Sequence, residues 1–196
     1  MKQVILALIS TLGLLFVTPV AASDIVTAVA KNDEVGIVSE LAYVPREVRR
    51  EVLCLALNLY HEGRGSTVED RIAIAFVTLN RLSQRTLREE RTICSVVFEN
   101  AQVKKGSGTK TTYQFSWVAY SEERKLPQDT QSWEDAQGLA LWVFKNQDTI
   151  PDPTKGATHY YAPAALKKLG YRTPTWARFG VNKKIIGQHI YMNVPD

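Results

Sequence analysis

The segment from Val48 to Gly65 constrains the fold more than any other part of the chain. Its apolar side chains recur at spacings of three and four, the period of a helix with one buried face: Val48, Val52, Leu55 and Leu59. Glu62 lies three residues beyond Leu59, so it continues the buried stripe. Gly63 and Gly65 predict the end of the helix, because glycine adopts left-handed backbone angles at little cost. The sequence therefore predicts a desolvated carboxylate at a helix end, the alternative being an ordinary solvated charge.

Two further helices are predicted from their caps and their apolar spacing. Ser66-Thr67-Val68-Glu69 has the pattern of a capping box, and Ser132 with Asp135 three residues later marks the next helix start. The apolar faces expected after these caps are Ile72, Ala75, Phe76, Leu79 and Leu82 in one helix, and Ala136, Leu139, Ala140, Val143 and Phe144 in the other.

The remaining segments predict the fold class. Between the second and third helices we expect a long irregular region, with Lys104, Lys105 and Lys110 in a flexible solvated loop. After Pro151 and Pro153 the pattern becomes strand-like, over residues 157–161 and 185–192. The prediction is an α+β domain with N-terminal helices and a small late antiparallel sheet. With 196 residues, 45% of them hydrophobic, the chain suffices for one packed domain.

The N-terminal 23 residues have the layout of a secretory signal. Lys2 is positive, residues 3–23 carry no charge, and small residues after Pro19 offer a cleavage site. The alternative is an uncleaved anchor, through which the chain would associate with the membrane. We read residues 24–46 as a linker or loosely docked arm and residues 47–196 as the folded domain, exported to the periplasm or cell wall.

Charge and cysteine content indicate the environment of the exported domain. Cys54 and Cys94 form an even pair, which predicts a disulfide in an oxidising compartment, the alternative being two buried thiols. Loss of Lys2 lowers the formal charge from +4 to +3, a mildly basic balance that suits a polyanionic partner such as a cell-wall polymer. No arginine-rich stripe with interleaved aromatics points to nucleic acid.

Metal and nucleophile motifs are incomplete. His61-Glu62 starts the zinc-protease pattern His-Glu-x-x-His, but Gly65 occupies its fifth position. His61, His159 and His189 could converge on a metal, yet no pair has short ligand spacing, so we expect none. No Gly-x-Ser-x-Gly elbow occurs, and apolar neighbours would raise the pKa of either cysteine.

General acid chemistry at Glu62 is the better-supported prediction. Desolvation favours the protonated carboxyl, which glycosidic cleavage needs. A hydrolytic glycosidase normally uses a second carboxylate. The candidates lie in caps, turns or polar loops, which favours a substrate that supplies its own nucleophile: Glu69, Asp70, Glu99, Glu122 and Asp152. Aromatic side chains that could stack on sugars, or simply form core, are Phe115, Trp117, Tyr160, Tyr161, Trp176 and Tyr191.

A series of ordered blocks resembles the SleB/CwlJ-type cell wall hydrolases. The blocks are residues 54–65, 73–81, 92–97, 114–117, 156–161 and 186–191. The first is similar to the family motif Tyr-x-Glu-Ala-Arg-Gly-Glu, with Gly63 in place of alanine and Ser66 in place of the last glutamate. That second change removes a carboxylate close to the expected site.

The resemblance covers residues 51–192 and implies that the domain over residues 47–196 is a lysozyme-like catalytic domain that acts on peptidoglycan glycan strands. We expect no cofactor and a monomer. It implies Glu62 as catalytic acid and a muramic acid 6-hydroxyl as nucleophile, giving 1,6-anhydro ends. Alternatives are a hydrolytic muramidase, a zinc amidase or peptidase on the stem peptide, and a non-catalytic glycan-binding module. Arg64 would orient Glu62 or a substrate carboxylate, or else cap the turn within a charged pair. The groove residues expected from the matching blocks and their surroundings are Gln114, Phe115, Ser116, Thr158, His159, Tyr160, Trp176 and His189.

Overall fold

The computed structural model describes residues 38–84, 91–105, 108–120, 127 and 130–195. The predicted signal and residues 24–37 of the predicted arm lie outside these ranges. The last part of the arm carries a short helix, α1 (Ser39–Ala42), whose Leu41 is fully buried in the core. Within the described ranges, no helix has both the length and the apolar character needed to cross a membrane.

The central element is helix α2 (Arg46–Gly63), which starts after Pro45. Every side chain from residue 52 to residue 60 is buried, including the polar Asn58. The sequence predicted one buried face, and the structure buries the helix on all sides because three other helices pack around it. The predicted end of this helix at Gly63 is confirmed.

Helices α3 (Val68–Ser83), α4 (Ile93–Val97) and α5 (Thr130–Asn146) pack against α2. The cap predicted at Ser66 is wrong by one residue, since the Thr67 hydroxyl accepts a hydrogen bond from the Asp70 amide at 3.3 Å. Helix α5 starts two residues before the predicted Ser132. The disulfide prediction is confirmed, because Cys54 and Cys94 are bonded with their Cα atoms 5.2 Å apart, joining α2 to α4.

The segment between α3 and α5 is more ordered than predicted. It contains α4 and an antiparallel hairpin of β1 (Asn100–Lys105) and β2 (Gly108–Tyr113), followed by a 3₁₀ turn at Ser116–Ala119. The predicted solvated loop is therefore wrong: Lys110 pairs with Val103, and Lys104 with Thr109. Both faces of this ribbon are largely solvated, so it lacks the alternating apolar pattern by which a half-buried strand is recognised.

The late sheet has three antiparallel strands in the order β3-β5-β4. Its strands are β3 (His159–Tyr161), β4 (Val181–Ile186) and β5 (His189–Asn193), with helix α6 (Pro163–Lys168) and a 3₁₀ turn at Thr175–Arg178 between β3 and β4. The predicted single strand over 185–192 is broken at Gly187, whose φ of 54° forms the β4–β5 turn. The α+β prediction, with helices first and a small late sheet, is confirmed.

Candidate active site

Glu62 lies in the last turn of α2 and faces the late sheet. Its Oε2 accepts a hydrogen bond of 3.1 Å from the Tyr160 hydroxyl in β3. Gly63 lets α2 approach α3 closely at this point, since a Cβ there would lie 2.9 Å from the Cγ atom of Arg71. Tyr160 pairs with Tyr191 of β5 in the sheet, so the contact to Glu62 is held by regular strand pairing.

The surroundings of Glu62 raise the pKa of its carboxyl. Burial raises the pKa of its carboxyl above the ordinary value, and the Tyr160 hydrogen bond and the charges of His189 and Arg81 oppose this rise. Burial, together with the charge of Glu62, also raises the pKa of the Tyr160 hydroxyl well above its ordinary value. Tyr160 therefore stays a hydrogen-bond donor, and Glu62 keeps its proton to higher pH than an exposed glutamate does.

Asp70 and His189 form a buried pair beside this carboxyl. His189 Nδ1 lies 2.9 Å from Asp70 Oδ2 and 3.1 Å from Oδ1. The Tyr191 hydroxyl donates to Asp70 Oδ1 at 2.6 Å, and the Gln188 amide donates to Oδ2 at 3.0 Å. Although burial raises the pKa of Asp70, these hydrogen bonds lower it below its ordinary value, so Asp70 is a carboxylate at neutral pH.

Arg81 lies beneath the site, near the end of α3. Its Nε donates to the Thr158 carbonyl at 2.6 Å, and its guanidinium carbon is 5.0 Å from the centre of the Phe115 ring. Its buried Nη1 has no hydrogen-bond partner among the described residues. Burial lowers the pKa of this guanidinium below its ordinary value, and the charges of Tyr160, Glu99 and Glu62 oppose this fall without reversing it. Arg81 thus supplies positive charge to the floor of the site.

The structure brings most of the sequence-predicted site residues together. Tyr160 bonds Glu62, and its ring contacts the His189 ring edge-on with centroids 5.2 Å apart. Thr158 Oγ1 lies 3.0 Å from His159 Nδ1, and the His159 ring is 5.2 Å from that of Trp176. Gln114 and Ser116 are exposed, whereas Phe115, Thr158 and His189 are buried beneath the surface.

The sequence did not identify Asp70 and Arg81 as residues near the site, and it left Tyr191 open between a sugar-binding face and the core. Asp70 was placed among the carboxylates of caps, turns and polar loops, yet it is fully buried; Tyr191 is also fully buried, which fits the core alternative. One signal could have found the two charged residues: Asp70 and Arg81 stand at helical spacing with a second apolar stripe of α3. The members of that stripe are buried in the structure: Ala73, Ile74 and Val77.

Core aromatics fix the end of α2. The His61 ring stacks on Trp117 with centroids 4.5 Å apart, and Trp117 Nε1 donates to Asn58 Oδ1 at 3.1 Å. Asn58 in turn donates to the Thr78 hydroxyl of α3 at 3.1 Å. Trp117, one of the aromatics considered as a sugar platform, is therefore part of the core.

Arg64 contacts Tyr60. Its Nη1 donates to the Tyr60 hydroxyl at 2.8 Å, and its guanidinium carbon lies 5.0 Å from the centre of the same ring. Arg64 also lines an open cleft of about 110 Å³ that does not include Glu62. The other residues that line this cleft are Leu59, Tyr60, Gly65, Arg71, Ser132 and Asp135.

In the described part of the chain, no group of three or more His, Cys, Asp or Glu side chains is arranged to hold a metal ion.

Comparisons with known proteins agree with the resemblance in the sequence. A family model described as Cell Wall Hydrolase matches residues 65–192, more than half of the chain. The chain is 26% identical over 164 residues to the spore cortex-lytic enzyme of Halalkalibacterium halodurans, a match that covers 84% of this chain and 41% of that protein. It is also similar, at 22% identity and a TM-score of 0.47, to the crystal structure of the catalytic domain of the Bacillus cereus SleB protein, covering 82% of this chain and 98% of that one. The chain thus spans less than half the length of the curated relative, and it belongs to the cell wall hydrolase family.

Proposed function

We propose that this protein cleaves the bond between N-acetylmuramic acid and N-acetylglucosamine in peptidoglycan, as a lytic transglycosylase with Glu62 as acid and then base. Its family makes it a cell wall hydrolase, an enzyme of peptidoglycan degradation. The observation that carries the proposal is the Glu62 carboxyl, whose pKa is raised by burial and which is held by the Tyr160 hydroxyl. Export to the periplasm or cell wall follows from the substrate.

The proposed reaction uses one carboxyl group twice. Glu62 gives its proton to the glycosidic oxygen as the bond from that oxygen to the anomeric carbon breaks. The 6-hydroxyl oxygen of the muramic acid then bonds to the anomeric carbon, and its proton passes to the Glu62 carboxylate. The product is a 1,6-anhydro ring, and Glu62 is again protonated. Because the nucleophile is part of the substrate, it is already held near the anomeric carbon, and the reaction avoids the entropy cost of ordering a water molecule.

The other described candidate carboxylates support this single-carboxylate scheme. Asp70 is fully buried, and its oxygens bond Tyr191, Gln188 and His189. Asp152 is occupied by Asn80, Thr154 and the Gly156 amide. Glu99 pairs with Arg91 at 2.7 Å, and Glu69 is exposed. Hydrolysis would need a second carboxylate facing the substrate, and each of these has another role or setting.

Glycan contacts are proposed around β3. Gln114 and Ser116 are exposed on the segment that follows β2, and His159, Tyr160 and Trp176 are half-buried. These side chains combine hydrogen-bonding groups with flat rings, which suits a sugar chain. Phe115, Thr158 and His189 would act from beneath, by holding Arg81, His159 and Tyr160 in place.

The test is mass spectrometry of purified peptidoglycan digested by the wild type and by Glu62→Gln. Glu69→Gln is the matched control, since it makes the same change at an exposed position. We expect anhydromuramyl ends from the wild type and the control, and a loss of at least about 10²-fold in their rate of release by Glu62→Gln, with glycan binding retained.

Other products would contradict the proposal in distinct ways. Reducing muramyl ends would mean that water is the nucleophile and the enzyme is a muramidase. Free stem peptides would identify an amidase or peptidase. Binding without any cleavage by the wild type would identify a non-catalytic glycan-binding module.

A further inference from the structure

We propose that Asp70 is a positioning residue, which acts through His189 on Glu62 and Tyr160. It holds the His189 ring in a fixed orientation, with Nδ1 protonated. The inference rests on the proposed function of Glu62 and assigns a role to a carboxylate that lies outside the matching blocks of the sequence.

The orientation of Asp70 is the first support. Its backbone amide completes the cap of α3, but its side chain turns into the protein and meets donors from the β4–β5 turn and β5. Burying a carboxylate is costly unless hydrogen bonds compensate it. Asp70 is compensated by the Gln188 amide, the Tyr191 hydroxyl and His189.

The location of His189 is the second support. Its Nδ1 is hydrogen-bonded to Asp70 of α3, and its ring contacts the Tyr160 ring of β3 edge-on. The charge of His189 lowers the pKa of Glu62 in α2. A carboxylate at Nδ1 fixes the tautomer of a neutral imidazole and stabilises a charged one. A positive charge at this position stabilises the Glu62 carboxylate that forms when the proton leaves.

The close packing of the β4–β5 turn is the third support. A Cβ at Gly187 would lie 2.6 Å from the Cβ, Cγ and Oδ2 atoms of Asp70. Glycine therefore allows the turn to reach Asp70, and the next two residues supply the Gln188 amide and the His189 ring. The turn, the pair and Tyr160 form one continuous set of contacts that leads to Glu62.

The test combines a spectroscopic and a kinetic measurement on the mature protein. Long-range ¹H–¹⁵N NMR at a pH where the ring is neutral reports which nitrogen of His189 carries the proton. His189→Gln identifies its signals, and His61 and His159 serve as internal references. We expect the Nδ1-protonated form in the wild type, and in Asp70→Asn a gain of the Nε2-protonated form. The rate at saturating substrate should fall roughly 10- to 100-fold in that variant, with little change in KM.

Asp152→Asn is the matched control, because Asp152 is also held by several hydrogen bonds but does not contact His189. It should lose stability without changing the His189 signals. An Nε2-protonated His189 in the wild type would overturn the inference, even if Asp70→Asn fails to fold. So would unchanged His189 signals in Asp70→Asn, or a rate loss no larger than that of Asp152→Asn. The NMR result does not depend on activity, so a wild type without glycosidic products would refute the proposed function alone.

Discussion

Replacing Gly187 by alanine tests the close contact between the β4–β5 turn and Asp70. Gly187 has a φ of 54°, and a methyl group there would lie 2.6 Å from three atoms of Asp70. Asp70 cannot simply move away, because its carboxylate is held by Gln188, His189 and Tyr191. The variant must therefore either shift the β4–β5 turn or break hydrogen bonds of a buried carboxylate.

The magnitude follows from two separate costs. The left-handed backbone costs a non-glycine residue about 1–2 kcal/mol. Forcing a methyl group into a filled site costs about 1–3 kcal/mol more. We therefore expect Gly187→Ala to lower the free energy of unfolding by roughly 2–5 kcal/mol.

Gly170→Ala separates the two costs. Gly170 has a φ of 73°, and a Cβ there would have no neighbour within 4 Å among the described residues. Its substitution should carry only the backbone cost, so the difference between the two variants measures the contact with Asp70. Urea unfolding monitored by circular dichroism gives both values. Equal losses, within about 0.5 kcal/mol, would refute the close packing of the turn on Asp70.

Two further predictions concern the same domain. Replacing Cys54 and Cys94 together by alanine should lower the free energy of unfolding by about 4 kcal/mol, because the disulfide closes a loop of 40 residues; a loss below about 1 kcal/mol in urea unfolding would contradict this. Glu62→Gln should stabilise the protein at neutral pH. The pKa of the Glu62 carboxyl is higher in the folded than in the unfolded protein, so its contribution to stability is fully present below the unfolded-state pKa and is lost as pH rises through the folded-state pKa. Glutamine does not ionise and so avoids this loss. The stability gap to the wild type should widen from pH 4 to pH 8, and a constant gap would show that the Glu62 pKa is not raised.

The sequence was sufficient for features whose signal is local or lies in the residue composition. The stripe of α2 and the glycines after it predicted both the helix and the setting of Glu62, because helical period and termination depend on residues a few positions apart. The cysteine pair predicted the bond between α2 and α4 from composition and compartment. The late aromatic segment gave Tyr160 as a candidate, and the structure places it on Glu62.

The sequence was insufficient where partners are distant or a pattern is missing. Asp70 had the appearance of a first-turn acid because its partners Gln188, His189 and Tyr191 lie more than a hundred residues further along the chain. The β1–β2 hairpin was missed because exposure on both faces removes the alternation of apolar and polar residues. The setting of Tyr191 stayed open because burial on a short strand gives the same aromatic signature as a sugar-binding face.

The bond between Tyr160 and Glu62 joins residues 98 positions apart, and the bond between Tyr191 and Asp70 joins residues 121 apart. During synthesis, Glu62 and Asp70 therefore lack these two hydrogen-bond donors until the late sheet has emerged and paired. The disulfide, in contrast, joins residues only 40 apart, so it can close while the late strands are still unfolded. A chain exported in the unfolded state would cross the membrane before Glu62 is surrounded by the residues that raise its pKa. By the proposed function and the predicted export signal, glycan cleavage would then begin only after the last strand has docked, on the outer side of the membrane.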